Sequence, residues 1–285
     1  MKISANTGST LPNLYSATAT SDSPRMESGD LSQLLRHDTV ELSDVVSREL
    51  PIGAIEHKPA QMYFNEEIKA SLDKALAGKG PEVREAVDRL IESNLFAANV
   101  DYSSDERSAL IEAGLTQAKF LADNYMQPEE GSEFLDTIKL LAAVATTRQV
   151  DPETGRVSYV ELPQKPRGAP EDYVSAGDLM KKYDPESYSK LQDAVANGGN
   201  TGSILIQFAK KLQQNPDWVK GYREDQDKLM KDLRSTDIDN RFESVKANNV
   251  NDFVDSMRNQ IAESSLSNKD LILANTLAFA RTLGF

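Results

Sequence analysis

The chain has 285 residues, 39% of them apolar and 27% charged, and a net charge of −13 at pH 7. That length buries a full core as one large domain or two modest ones, and the acidic balance argues against non-specific binding to nucleic acid or to an anionic membrane surface. The absence of cysteine excludes thiolate nucleophiles, disulfides and every cysteine-based zinc or iron–sulfur site.

Residues 1 to about 36 are rich in Ser, Thr, Asn and Gly, with scattered apolar residues such as Leu11, Leu14 and Tyr15. Such a stretch buries too little surface to offset the entropy of ordering, so a disordered N-terminal arm is expected. Its start lacks the continuous apolar run of a conventional secretory signal. From 37 to 62, the apolar residues Val40, Leu42, Val45, Val46 and Leu50 suggest a brief helix begun by Ser43 and ended by Pro51. Residues 1–62 are therefore expected to form a disordered or loosely docked leader.

Helical periodicity begins at Asn65, an N-cap followed by acids, and stops at Gly78. Pro81 suits the first turn of a second helix, whose Val83, Ala86, Val87, Leu90, Ile91, Asn94 and Leu95 follow the i, i+3, i+4 rule. A third helix starts near Ser104, within the sequence SDER, and carries Leu110, Ile111, Leu115, Ala118, Leu121, Ala122 and Tyr125. A fourth is expected from Ser132 to about Arg148. Its segment IKLLAAVA at 138–145 is apolar on nearly all sides and must be enclosed.

The pattern breaks between 149 and 185. Asp151-Pro152-Glu153-Thr154-Gly155 reads as a turn and RVSYVEL as a strand, predicting a small β-hairpin near 150–162. The proline-rich PQKPRGAP that follows reads as an extended connector. Helices resume with SAGDLMKKY, DPESYSKLQDAVAN, TGSILIQFAKKLQQ, NPDWVKGYREDQDKLMKDLR, DIDNRFESVKAN, NVNDFVDSMRNQIAES and SNKDLILANTLAFARTLGF. Asp184-Pro185 and Asn215-Pro216 repeat one start signal, a cap followed by Pro at the first helical position. The expected fold is all-α: a multi-helix bundle of about eight to ten helices, with N-terminal (63–148) and C-terminal (171–285) helical subdomains joined by the hairpin and connector at 149–170.

Motifs that carry chemistry are each outweighed by a plainer reading. His37 and His57 both lie in the leader, away from the rigid frame that a catalytic histidine needs. DPETGRVSYVEL and STDIDNRFES, the latter with Asp237, Asp239 and Asn240, fail the spacing of a calcium loop. The run from Gly198 to Ser203 precedes a helix but has neither the Lys nor the leading strand of a phosphate loop; Gly198 ending one helix and Thr201 capping the next explains it. Ser71/Lys74 and Ser187/Lys190 share the Ser-x-x-Lys spacing of penicillin-binding enzymes without their partner motifs. Glu129-Glu130 reads as a loop, and Glu224/Lys228 and Asp227/Lys231 as surface i, i+4 pairs. Pro163 and Pro166, flanked by Lys165 and Arg167, have PxxP spacing but suit a linker equally. Trp218, Val219, Tyr222, Leu229, Met230 and Leu233 form a stripe expected to be core, or an interface anchor if exposed.

Asp38-Thr39-Val40-Glu41-Leu42-Ser43-Asp44, after a polar arm, resembles the corresponding stretch of the flagellar anti-sigma factors and other bacterial export-associated proteins. The resemblance covers seven residues; the long helical body departs from those small proteins, so sigma-factor binding is not implied.

No catalytic, cofactor-binding or metal-binding residue is assigned from the sequence, and no cofactor is expected. The expected function is that of a non-catalytic bacterial protein acting through an unidentified protein partner, without nucleic acid and without a membrane span. It would be cytoplasmic, or exported by a route independent of a signal peptide. The alternatives are a carboxylate-dependent hydrolase acting on a glycan or peptidoglycan, and a structural component of a phage or secretion assembly.

Overall fold

A computed structural model describes residues 59–98, 102–166, 168–170 and 172–285. The arm, the short helix expected after Ser43, His37, His57 and Arg167 all lie outside the described residues. Ten α-helices and one two-stranded hairpin make up the described part, as an all-α fold with a small hairpin requires.

A 3-10 turn at Pro59–Tyr63 leads to α1 (Glu66–Ala75), capped by Asn65, whose side chain accepts the Ile68 N–H. Gly78, at φ +74°, reverses the chain after α1, a conformation that costs only glycine nothing. Pro81 then opens α2 (Pro81–Leu90), which runs on as a π-helical turn over Ile91–Leu95. All seven residues of the predicted stripe from Val83 to Leu95 are buried.

Helices α3 (Ser104–Tyr125) and α4 (Pro128–Thr146) form the centre. They bury residues around most of their circumference, as an enclosed helix must. In α4 every residue from Ile138 to Ala145 except Lys139 is buried. A Cβ on Gly131 would lie 3.3 Å from the Ala122 carbonyl oxygen, so the small residue permits the close approach of the pair. The capping box of α3 uses Ser103 with Glu106, one residue ahead of the expected start. The start of α4 is four residues earlier than expected. Pro128 occupies the first position, and the Gln127 N–H donates to the Glu130 carboxylate at 3.2 Å, so Glu129 and Glu130 are first-turn residues and not a loop.

The hairpin pairs β1 (Gln149–Val150) with β2 (Val157–Ser158), antiparallel, closed by the Asp151–Gly155 turn. Helices α5 (Ala176–Tyr183), α6 (Pro185–Ala196), α7 (Thr201–Gln214) and α8 (Asp217–Arg234) follow, then α9 (Val250–Glu263) and α10 (Lys269–Thr282). Asp184 caps α6 ahead of Pro185 as expected. At α8 the same signal is shifted: Pro216 sits at the cap position itself, and the Asn215 amide instead donates to the Lys211 carbonyl at the end of α7.

DIDNRFESVKAN is not a helix. Residues 236–249 form an irregular strap with a turn at Arg241–Ser244. Its backbone is claimed by side chains: Glu112 accepts the Arg241 N–H at 2.9 Å, and Asn240 accepts the Phe242 N–H at 2.9 Å. Phe242 and Val245 plug the strap into the core.

Two apolar clusters hold the described residues. The larger gathers α1 to α4, α9, α10, the strap and Leu233 of α8. Phe120, Phe253 and Phe279 meet there with ring centroids 4.6 to 6.3 Å apart. The smaller consists of Leu179, Met180, Leu191, Phe208 and Tyr222, from α5 to α8. Helix α8 belongs to both: Trp218, Val219 and Tyr222 face the smaller cluster, and Leu229, Met230 and Leu233 the larger.

Candidate interaction surface

Most polar groups singled out in the sequence are committed to local architecture. Asp151 accepts the N–H groups of Glu153 and Thr154 at 2.9 and 2.8 Å, so it closes the hairpin turn. Hydrogen bonds, led by the one from Thr154, hold its carboxyl below the usual range. Ser71 shares a 2.6 Å hydrogen bond with Thr137 while Lys74 pairs with Glu133, both tying α1 to α4. Ser187 is approached by Lys211 at 3.2 Å, and Lys190 instead pairs with Glu186. Glu224 pairs with Lys220, one turn before it. The Pro163 carbonyl accepts from Asn65, which fastens the connector to the start of α1. Asp237 and Asp239 are exposed on the strap. Among the described residues, no group of three or more His, Asp or Glu side chains is arranged to hold a metal ion.

Among the described residues, one carboxyl is shifted upward. Burial raises Asp178 of α5 above the ordinary range, and the Tyr222 hydroxyl donates to it at 3.2 Å. The pair joins α5 to α8 inside the smaller cluster, and the Lys181–Glu161 ion pair beside it is exposed.

Among the described residues, Met62, Val150, Ile206 and Phe285 are the large apolar side chains left exposed, and of these Ile206 alone stands within an α-helix, α7. It is anchored firmly on one side. Gly198, at φ +68°, ends α6, and the Gly199 N–H bonds back to the Ala194 carbonyl at 2.6 Å. A Cβ on Gly199 would lie 3.1 Å from the Ala194 Cα, so the turn is this tight only with glycine. Asn200 then caps α7 by accepting the Ser203 N–H at 3.0 Å. The cap is Asn200 and not Thr201, in keeping with the stronger preference for asparagine there. Asp184 receives both the Ser187 N–H and the Lys211 ammonium, which pins the two helices together. Burial alone would raise the Asp184 carboxyl, but the hydrogen bonds from Lys211 and Ser187 outweigh it and hold it low.

Little of α7 is covered in return. Phe208 is its one buried residue, and Ile204, Leu205, Ala209 and Leu212 are half-buried. Successive helix residues are about 100° apart, so Ile204, Leu205 and Ile206 cannot all face the same neighbour. Ile206 is the one left outside, 62% exposed. Around it the outer face is Ser203, Gln207, Lys210, Gln213 and Gln214, all exposed.

That face has no acid. Residues 194–216 are the longest acid-free run in a chain with 45 Asp and Glu, and they contain Lys210 and Lys211. The phosphate-loop resemblance of 198–203 carries no information about this surface, which lies further along the helix. The signal available was the charge pattern: a neutral, amide-rich helix with three consecutive aliphatics inside an acidic protein.

The fold and this surface together define an all-helical protein with a half-covered helix at its surface. No protein-family model, curated protein or solved structure matches the chain. No helix among the described residues is long and apolar enough to cross a membrane.

Proposed function

We propose that this protein works through contact with other protein surfaces and not by chemistry on a substrate, and that α7 is its contact element. The observation that carries this reading is Ile206, a large aliphatic side chain held on the exposed, acid-free face of a rigidly anchored helix. An aliphatic centre rimmed by polar side chains is the layout of a contact surface, and Gln207, Lys210 and Gln213 supply that rim. The carboxylates support it from the other direction: Glu112, Asp151 and Asp184 each spend their oxygens on architecture. A photo-reactive residue at position 206, introduced in the cell that makes the protein, tests the reading. Capture of a protein at 206, above capture at exposed Lys139 of α4, is expected; equal capture at both positions would count against it.

The Ser/Thr-rich leader supports a bacterial protein exported without a conventional signal peptide. Residues 1–40 fused to a reporter should carry it out of the cell, and retention of the fusion inside refutes the export reading.

A further inference from the structure

We infer that residues 174–222 are a separate cooperative module, which opens by local unfolding while the larger cluster stays folded, and that opening uncovers the face of α8 that carries Trp218, Val219 and Tyr222. This goes beyond the reading of α7 as a contact element and does not depend on it.

The chain order of the two clusters shows the partition. Every residue of the smaller cluster, and every half-buried apolar residue packed on it, falls between positions 174 and 222. The larger cluster draws on 60–162 and resumes at Leu229. Among the described residues, none belongs to both clusters.

The joint is polar at both ends. On α8 a stripe through Trp218, Val219 and Tyr222 would continue at 225 and 226 before Leu229 and Met230, at the i, i+3, i+4 spacing. Those two positions hold Asp225 and Gln226, within the run REDQDK at 223–228. At the other end stands the proline-rich connector. Arg223 donates to the Asp172 carbonyl, so the chain enters and leaves the module side by side.

The module is also thinly held. Its buried core is Leu179, Met180, Leu191, Phe208 and Tyr222, to which α6 and α7 contribute one side chain each. Few buried apolar contacts place a region at the low-stability end of local opening. The Lys181–Glu161 and Lys182–Asp225 pairs tie α5 to the connector and to the middle of α8, but both are exposed, and such pairs add little. Within the module, the Gly199 turn and the bridge from Lys211 to Asp184 join α7 to α6, so these helices come away together.

Trp218 reports on the module. It is the single tryptophan of the chain, stacked on Tyr183 with centroids 5.3 Å apart and 6.4 Å from Phe208. The test follows urea unfolding of the full chain by tryptophan emission and by far-ultraviolet circular dichroism. A red shift of the emission is expected at lower urea than the main loss of helix. Phe208→Ala should move the emission change to lower urea, or leave Trp218 exposed in buffer, with the main transition in place. Ile138→Val, buried in α4, should move only the main transition. Amides of α5 to α7 should exchange roughly a hundredfold faster than those of α3 and α4. Coincident transitions that shift together in both variants overturn the inference, as does equal protection of the two sets of amides.

Discussion

Glu112 accepts three hydrogen bonds from Arg241: one from the backbone N–H at 2.9 Å, one from Nε at 2.6 Å and one from Nη2 at 3.0 Å. The carboxylate is buried in α3, and the arginine stands at the turn of the strap, where Nη2 also reaches Asp105. One ion pair thereby fixes both a charge inside the protein and the course of an irregular segment over it. Arg241→Met should destabilise the fold by about 3 kcal/mol, since it strands a buried carboxylate. Adding Glu112→Gln should recover part of that loss. Urea denaturation of the two variants checks this, and an additive double variant would contradict it.

The π-helical turn after α2 meets α3 at Gly114. An added Cβ there would lie 3.0 Å from Asn94 Cβ and 3.1 Å from Leu95 Cδ2. Asn94 is held in place, donating to Gln117 at 2.9 Å and accepting from Asn275 at 3.1 Å. Alanine in place of a mid-helix glycine ordinarily gains about 1 kcal/mol, but overpacking costs about 1–3 kcal/mol. Gly114→Ala should therefore lower the thermal midpoint, and a raised midpoint would show that the turn yields.

Neighbouring residues of α7 should behave oppositely. Phe208→Ala opens the smaller cluster and is expected to cost about 3 kcal/mol, whereas Ile206→Glu should stay within about 0.5 kcal/mol of the parent. Hydrogen exchange of α5 to α7 reads both. Comparable losses would mean that Ile206 is a packing residue.

The cap assignment is open to a direct comparison. Asn200→Ala should cost about 1 kcal/mol and Thr201→Ala much less, measured as exchange of the Ser203 amide, which Asn200 holds.

Asp178 gives a pH dependence with a definite sign. Its folded value is raised by burial, so the folded protein favours the protonated form. The associated stability is fully present below the unfolded value of about 3.9 and is lost as pH rises through the folded value. Asp178→Asn should therefore be more stable than the parent at neutral pH, with the advantage fading in acid. Denaturation midpoints across pH 3 to 7 measure it; a constant difference would assign the effect to packing.

What the sequence disclosed was local. Asn65 and Asp184 announce their helices because a cap and the N–H it accepts lie within a few residues, and Pro81 announces its own because its fixed φ suits a first turn. The enclosed run 138–145 was legible because Lys139 is its one polar residue, which leaves all its other positions apolar. The strap was not legible, because what diverts it from a helix is Glu112, 129 residues away in sequence. Ile206 was hidden for a related reason: an apolar residue in a helical pattern reads as core until the neighbours prove too few to cover it. The start of α4 was hidden for a smaller reason: its cap position holds Gln127, which is not among the usual cap residues.

The amide of Asn275 in α10 donates to the carbonyl of Ser93, across 182 residues of sequence, and Phe279 of the same helix covers Phe120. At roughly 5–20 residues per second of synthesis, that separation amounts to about 10–40 s on the ribosome. During that interval α3 has α4 and the turn after α2 beside it, but the part of its apolar seam at Phe120 stays uncovered until α9 and α10 emerge. The protein should therefore be a client of holding chaperones during translation, and chains stopped before α10 should precipitate instead of folding into a smaller version of the whole.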